Sequence, residues 1–227
     1  AVQGDGKVLL VGSFSSVNGG ARSGVARLNA DGTLDTGFLN GLSGADAEVR
    51  AVAVQGNGQV VIAGDFNNVN GTLRSRVARL NADGTLDTAG FVPPTAFNGV
   101  ARALALDAAG NVYVAGDFTS FTGSGGGRLR LAKLGGDGTL DGTFLASSGD
   151  GFAGFVTSLA VQPLPAGGGE RLLVGGGFAS FTKSTVTITR NGLARLGSLS
   201  GAGSIGTDAN FGAGANGQVN AVGTQAD

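Results

Sequence analysis

The chain has 227 residues, 15 basic and 16 acidic side chains, a formal net charge of −1 and 41% hydrophobic residues. That hydrophobic content is too high for a disordered segment, and charges spread evenly along the chain leave no basic stripe for a nucleic-acid backbone or an anionic lipid surface. Histidine, cysteine and methionine are all absent, which removes the usual general base, the common zinc and copper ligands, disulfides and thiol nucleophiles. The first residue is alanine, so the sequence reads as a mature or excised piece of something longer. Its longest apolar runs, such as Val8 to Val11 and Val60 to Ala63, fall far short of the ~20 residues that span a bilayer; no membrane span is expected.

The stretch Ala51 to Phe91 is one copy of a unit spelled about four times. Shifted back by 52 residues, Val54-Gln55 falls on Val2-Gln3, Gly64 on Gly12, Phe66 on Phe14 and Arg79-Leu80 on Arg27-Leu28; shifted forward by 52, Gly64 falls on Gly116 and Phe66 on Phe118. A looser copy carries Val161-Gln162, Gly176, Phe178 and Arg195-Leu196. A period of this size marks a repeat architecture. Approximate units are 1–48, 49–99, 100–154 and 155–218, with 219–225 repeating the first strand once more.

Each unit opens on an apolar first strand (Val49 to Gln55, Val100 to Asp107, Phe155 to Gln162). A tight turn follows at Gly4-Asp5-Gly6, Gly56-Asn57-Gly58 or Ala109-Gly110-Asn111, where glycine accommodates positive φ. The second strand (Lys7 to Phe14, Gln59 to Phe66, Asn111 to Phe118, Arg171 to Phe178) is continuously apolar in its middle. That pattern predicts cover on both faces. It closes on Gly-x-Phe at Phe14, Phe66, Phe118 and Phe178, and three residues on another apolar side chain recurs at Val17, Val69, Phe121 and Phe181. A loop of varying length leads to a third strand at 25–28, 77–80, 131–134 and 193–196. Asn-Ala-Asp-Gly turns follow at 29–32 and 81–84, and then Asp-x-x-Phe: Asp35 to Phe38, Asp141 to Phe144, Asp208 to Phe211, and Asp87 to Phe91 with one extra residue. No segment shows helical periodicity.

Short strands, tight turns and doubly covered inner strands predict an all-β protein, a β-propeller of about four repeats of 50–60 residues. The array is either a closed ring, with 219–225 completing the first unit, or part of a larger propeller. A β-solenoid is the rival, but its rungs are shorter.

The run V-A-V-Q-x-(D/N)-G-(K/Q)-V-x-(V/I)-x-G-x-F, followed by V-A-R-L-N-A-D-G-T-L-D-T-x-F, resembles the bacterial delta-60 repeat family from Ala1 to Phe144. In the fourth unit Gly197-Ser198-Leu199-Ser200 replaces the Asn-Ala-Asp-Gly turn. The resemblance implies β-propeller-like repeats in a large secreted or surface protein, and it supplies no catalytic residues.

Most carboxylates recur with the repeat (Asp31, Asp83, Asp137; Asp35, Asp87, Asp141, Asp208; Asp65, Asp117). A reaction centre needs one special site, so repeated residues read as structural. The recurring phenylalanines, including Phe38, Phe91, Phe144 and Phe211, read as packing wedges. The basic position Arg27, Arg79, Lys133 and Arg195 is expected to bond carbonyls or the Asp-x-x-Phe carboxylate of its own unit; a ring of cations converging on a channel is the sharper alternative. Gly201 to Gly206 and Gly212 to Gly217 match G-x-G-x-x-G without the strand and helix that fingerprint needs, and read as loop. No cofactor is expected, although calcium at Asp-Gly turns is the ion that the composition leaves room for. Asn70-Gly71-Thr72 is a sequon by chance.

The expectation is a non-catalytic extracellular, cell-surface or periplasmic module for structure or protein interaction. Its partners would be a surface protein or glycan, or neighbouring subunits, met through the variable loops at Ser15, Asn18, Asn67, Asn70, Thr119, Phe121, Thr182 and Lys183. One alternative is a carbohydrate-binding or carbohydrate-active propeller using unrepeated carboxylates such as Asp46, Asp150 or Asp208; another is a structural subunit of a surface assembly or fibre.

Overall fold

The computed structural model describes residues 1–93, 97–121, 129–164, 169–197, 212 and 214–224. These residues form strands and turns, with no helix among them. The first sheet pairs β1 (Val8–Val11) with β4 (Val25–Leu28), and between them β2 (Ser16–Val17) and β3 (Gly20–Ala21) make a separate small hairpin. The second orders β5 (Val49–Val54), β6 (Val60–Gly64) and β9 (Val77–Leu80), with the hairpin β7 (Asn68–Val69) and β8 (Thr72–Leu73) inserted. The third is β10 (Ala101–Leu106), β11 (Val112–Gly116) and β12 (Leu131–Leu134). Next, β13 (Gly151–Phe152) joins the hairpin β16 (Ser180–Lys183) and β17 (Val186–Thr189), which is inserted in a sheet of β14 (Val156–Pro163), β15 (Glu170–Gly176) and β18 (Leu193–Leu196).

The continuous apolar run of each second strand now has a physical reason. In β6, Val60 and Ile62 pack with Leu9, Val25 and Phe38 of the first sheet. Val61 and Ala63, on the opposite face, pack with Val112, Val114 and Phe118 of the third. In β11 the alternation repeats: Val112 and Val114 face back, while Tyr113 and Ala115 join Leu172 and Val174 of β15. The core therefore lies between sheets, each strand feeding two interfaces through its period of two. β1 departs from this, since only Leu9 of its four residues is buried.

The first and second strands meet at a glycine beside a bulge. Val49 pairs with Gly64 and Ala51 with Ala63, leaving Arg50 as the extra residue; Arg102 and Thr157 are extra in the same way. A Cβ at Gly64 would overlap the Glu48 carbonyl, one at Gly116 the Val100 carbonyl and one at Gly176 the Phe155 carbonyl, which is why glycine closes the second strand in these three units. Beyond each of the first three units' third strands the chain adds only a single bridge, Leu28–Leu34, Leu80–Leu86 and Leu134–Leu140.

The closed-ring alternative is corrected by the positions of the two end segments. Ala1 and Val2 lie on β1, with the Leu9 amide donating to the Ala1 carbonyl at 2.8 Å and Val2 bridging Val8. Residues 214–222 lie on the fourth sheet: the Val219 amide donates to Gly176 at 3.0 Å and the Thr157 hydroxyl to Val219 at 2.6 Å. These contacts leave the described array open.

Candidate functional site

In the first two units the third strand carries its arginine into a junction between sheets. Arg27 Nε donates to Asp35 Oδ2 at 2.8 Å, its Nη1 to the Ala82 carbonyl of the next unit at 2.7 Å, and its guanidinium lies 4.6 Å from the Phe38 ring centre. Arg79 binds Asp87 through Nε and Nη2 at 2.9 and 2.7 Å, Gly136 of the next unit at 2.6 Å and Gly90 at 2.7 Å, over the Phe91 ring. The buried guanidinium thus fastens its own Asp-x-x-Phe segment to the following turn. Burial alone would raise the Asp35 carboxyl, but hydrogen bonds from Lys7 and Arg27 and the Arg27 charge outweigh it and hold the group at about 2. Asp87 is lowered against the same burial by Arg79 and by the Gly90 amide. The guanidinium groups of Arg27 and Arg79 end in separate junctions.

Lys133 sits differently, 3.7 Å from Asp141 and 4.0 Å from Asp107, below the ring of Tyr113. Arg195 Nη1 reaches Gln162 at 3.4 Å. Phe66, Phe118, Phe178, Phe91 and Phe144 are buried, whereas Phe14 is half-buried. Asp208 and Phe211 lie outside the described residues.

Several loop positions turn out to serve the fold. Phe121 is buried, 5.0 Å from Phe97 and 6.0 Å from Phe118 between ring centres, so it cannot present itself to a partner. Asn18 and Asn70, both at φ 50°, donate from Nδ2 to the Gly32 and Gly84 carbonyls at 3.0 and 3.1 Å, tying each hairpin to its own unit's turn. Thr119 is held by Asn98 at 2.8 Å, and the Thr182 hydroxyl meets Thr187 at 2.9 Å; Lys183 is partly buried in β16. Ser15 and Asn67 are exposed. Leu73, paired with Asn68 at the open end of β7–β8, and Val186, beside the turn of β16–β17, are among the most exposed large apolar residues at 61% and 60%.

The unrepeated carboxylates are also engaged. Asp46 accepts from the Asn67 and Asn68 amides at 2.9 and 3.0 Å and from Asn68 Nδ2 at 2.8 Å; burial would raise its carboxyl, and these bonds lower it. Asp150 is buried and accepts from the Ser147 and Ser184 amides. In the Asp-Gly-Thr turns, Asp31, Asp83 and Asp137 each accept from the hydroxyl and amide of the threonine two residues on, which lowers their carboxyls. Among the described residues no three acidic side chains gather as a metal site would require, and no helix is long and apolar enough to cross a membrane.

One position escaped the reading of the sequence. Gly24, Arg76, Arg130 and Gly192 have φ of 69°, 69°, 70° and 67°. Their amides donate to Phe14, Phe66, Phe118 and Phe178 at 2.9, 2.9, 2.9 and 2.8 Å. In the second and third units an arginine therefore stands in a backbone conformation that favours glycine. Arg76 crosses from this position to donate to the Asp65 carbonyl, and Nε of both Arg76 and Arg130 is buried without a hydrogen-bond partner. Where glycine stands instead, a cavity lies open: about 360 Å³ at Gly24, lined by Ser13, Phe14, Asp46 and Glu48, and about 340 Å³ at Gly192, lined by Gly177, Phe178, Asn216 and Gln218. Shifting the sequence by 52 residues sets Arg76 on Gly24, so the signal was present. A bidentate surface pair also went unnoticed: Arg50 with Asp65 at 3.2 and 2.9 Å, repeated by Arg102 with Asp117 at 2.8 and 2.6 Å.

None of the curated proteins compared with the chain matches it. Residues 3–38, 55–89 and 110–144 match a family described as a domain of unknown function (DUF5122) beta-propeller. The match covers the second strand, the third strand and the aspartate that follows in three successive units, so these three units are similar to repeats of a β-propeller family.

Proposed function

We propose that this chain is a non-catalytic interaction module, of the delta-60 repeat kind, working outside a bacterial cell or on its surface. Its partner, a surface protein or glycan, meets the inserted hairpins between the second and third strands. The observation that carries this reading is the exposure of Leu73 and Val186 on those hairpins, because exposed apolar side chains on a rigid repeat are a surface suited to a partner. The engagement of Asp46 and Asp150 in backbone contacts supports the absence of catalysis, since a glycosidase needs two carboxylates across one cleft.

The test combines Leu73→Ser with Val186→Ser and measures retention of the labelled chain on isolated bacterial envelopes. Retention should drop while the thermal midpoint stays within a few degrees. Undiminished retention would count against the hairpins, and release of reducing sugar from a polysaccharide panel would overturn the non-catalytic assignment.

A further inference from the structure

The cavity at Gly24 has the outline of a missing side chain. Its sister positions show which one: at Arg76 the side chain leaves the same backbone conformation, crosses the same space and donates to the carbonyl of Asp65. Asp65 corresponds to Ser13, and Ser13 lines the cavity at Gly24. An arginine is thus what this frame is built around, and the first unit alone combines the vacated space with two lining carboxylates, Asp46 and Glu48. The cavity at Gly192 has the neutral Asn216 and Gln218 in their places.

Both carboxylates have partners already. Glu48 pairs with Arg50 at 2.6 Å, and Asp46 accepts the Asn67 and Asn68 bonds. An ionised carboxylate nevertheless offers about four acceptor sites, and no cation stands among the cavity's lining residues.

We propose that the cavity at Gly24 receives an arginine side chain from a partner protein, which takes the place that Arg76 fills within its own unit. The planar guanidinium donates to the Ser13 carbonyl, and the Asp46 and Glu48 carboxylates favour its charge. Arginine is selected over lysine because its fork of five donors meets several fixed acceptors at once, whereas an ammonium acts as a point charge. The cavity opens beside Ser15 and Ser23, at the two ends of the β2–β3 hairpin. The inference therefore rests on the proposed interaction role only in supplying a partner.

The probe is N-acetyl-arginine amide, with N-acetyl-lysine amide as its control, followed by amide chemical shifts. Saturable shifts at residues 12–15, 24 and 46–48 are expected, at least about tenfold tighter for arginine, a difference of about 1.4 kcal/mol. Gly24→Arg, which copies the sister units, should abolish them. Because Gly24→Arg could disturb packing against Val49, a second variant, Asp46→Asn with Glu48→Gln, copies the lining at Gly192. Asn98 caps the Thr119 and Ser120 amides as Asp46 caps its own loop, so this fold should persist, with affinity at least about tenfold lower. No saturable response, an equal response to lysine, or a response that survives the double substitution would overturn the proposal. Because the probe reads the cavity directly, its failure is distinct from failure of the hairpins to hold a partner.

Discussion

The junction fastened by Arg79 and the one containing Lys133 occupy equivalent places and are built on different chemistry. Arg79 is buried, with bonds of 2.7 and 2.9 Å to Asp87 and two further bonds to carbonyls, one of them in the next unit. Lys133 lies no closer than 3.7 Å to a carboxylate, and the space beside it is filled by Tyr113, whose hydroxyl faces Asp107 at 3.3 Å and whose ring meets Phe144 edge-on. One junction is held by a directional clamp and the other chiefly by packing. The repeat tolerates this exchange because the apolar interface carries on through both.

Removing the clamp should have the largest effect. Arg79→Leu leaves Asp87 buried and unpaired, which should cost about 3–5 kcal/mol in denaturant unfolding; Lys133→Leu should cost about 1 kcal/mol or less, because its contacts are longer than hydrogen bonds. Equal losses would erase the distinction between the junctions.

Acid should weaken the arginine-clamped first junction next. Asp35, held at about 2 against an ordinary 3.8, contributes stability that is fully present above the ordinary value and is lost as the pH falls through about 2. Asp35→Asn should therefore cost about 2 kcal/mol at neutral pH, and its stability should converge on that of the parent chain as the pH approaches 2. A constant difference across that range would show that the carboxylate charge is not what stabilises the first junction.

The smallest effect concerns Tyr113. Burial, followed by the Asp107 charge, pushes its hydroxyl far above the usual tyrosine range, so it stays protonated and donates. Tyr113→Phe keeps the packing and removes one long hydrogen bond, for a loss of about 0.5–1.5 kcal/mol. A loss as large as that of Arg79→Leu would mean that the third junction, too, depends on polar bonds.

Much of the fold was legible. The third strands sit at 25–28, 77–80, 131–134 and 193–196 as their V-A-R-L spelling indicates, because strand period and turn chemistry are local properties. The continuous apolar second strands announced cover on both faces, but only stacking shows that Val60 and Val61 serve different neighbours. The loop residues were less legible. Phe121 reads as a loop aromatic, and burial against Phe97 depends on a segment more than 20 residues away. Asn18 and Asn70 read as free polar tips, yet each is tied back to a turn 14 residues on.

What the amino-acid order determined by itself is the unit: its strands, its glycine closures, its Asn-Ala-Asp-Gly turns, and the pairing of Arg27 or Arg79 with an aspartate eight residues later. These follow from period, positive φ and opposite charge within a few residues of chain. The tertiary structure alone decided that the described array stays open, that Arg79 also grips the next unit, and that an empty space lies at Gly24 where Arg76 crosses its own. Those outcomes depend on how separate units meet in space, where the long-range contacts of one side chain compete with every other candidate for the same volume.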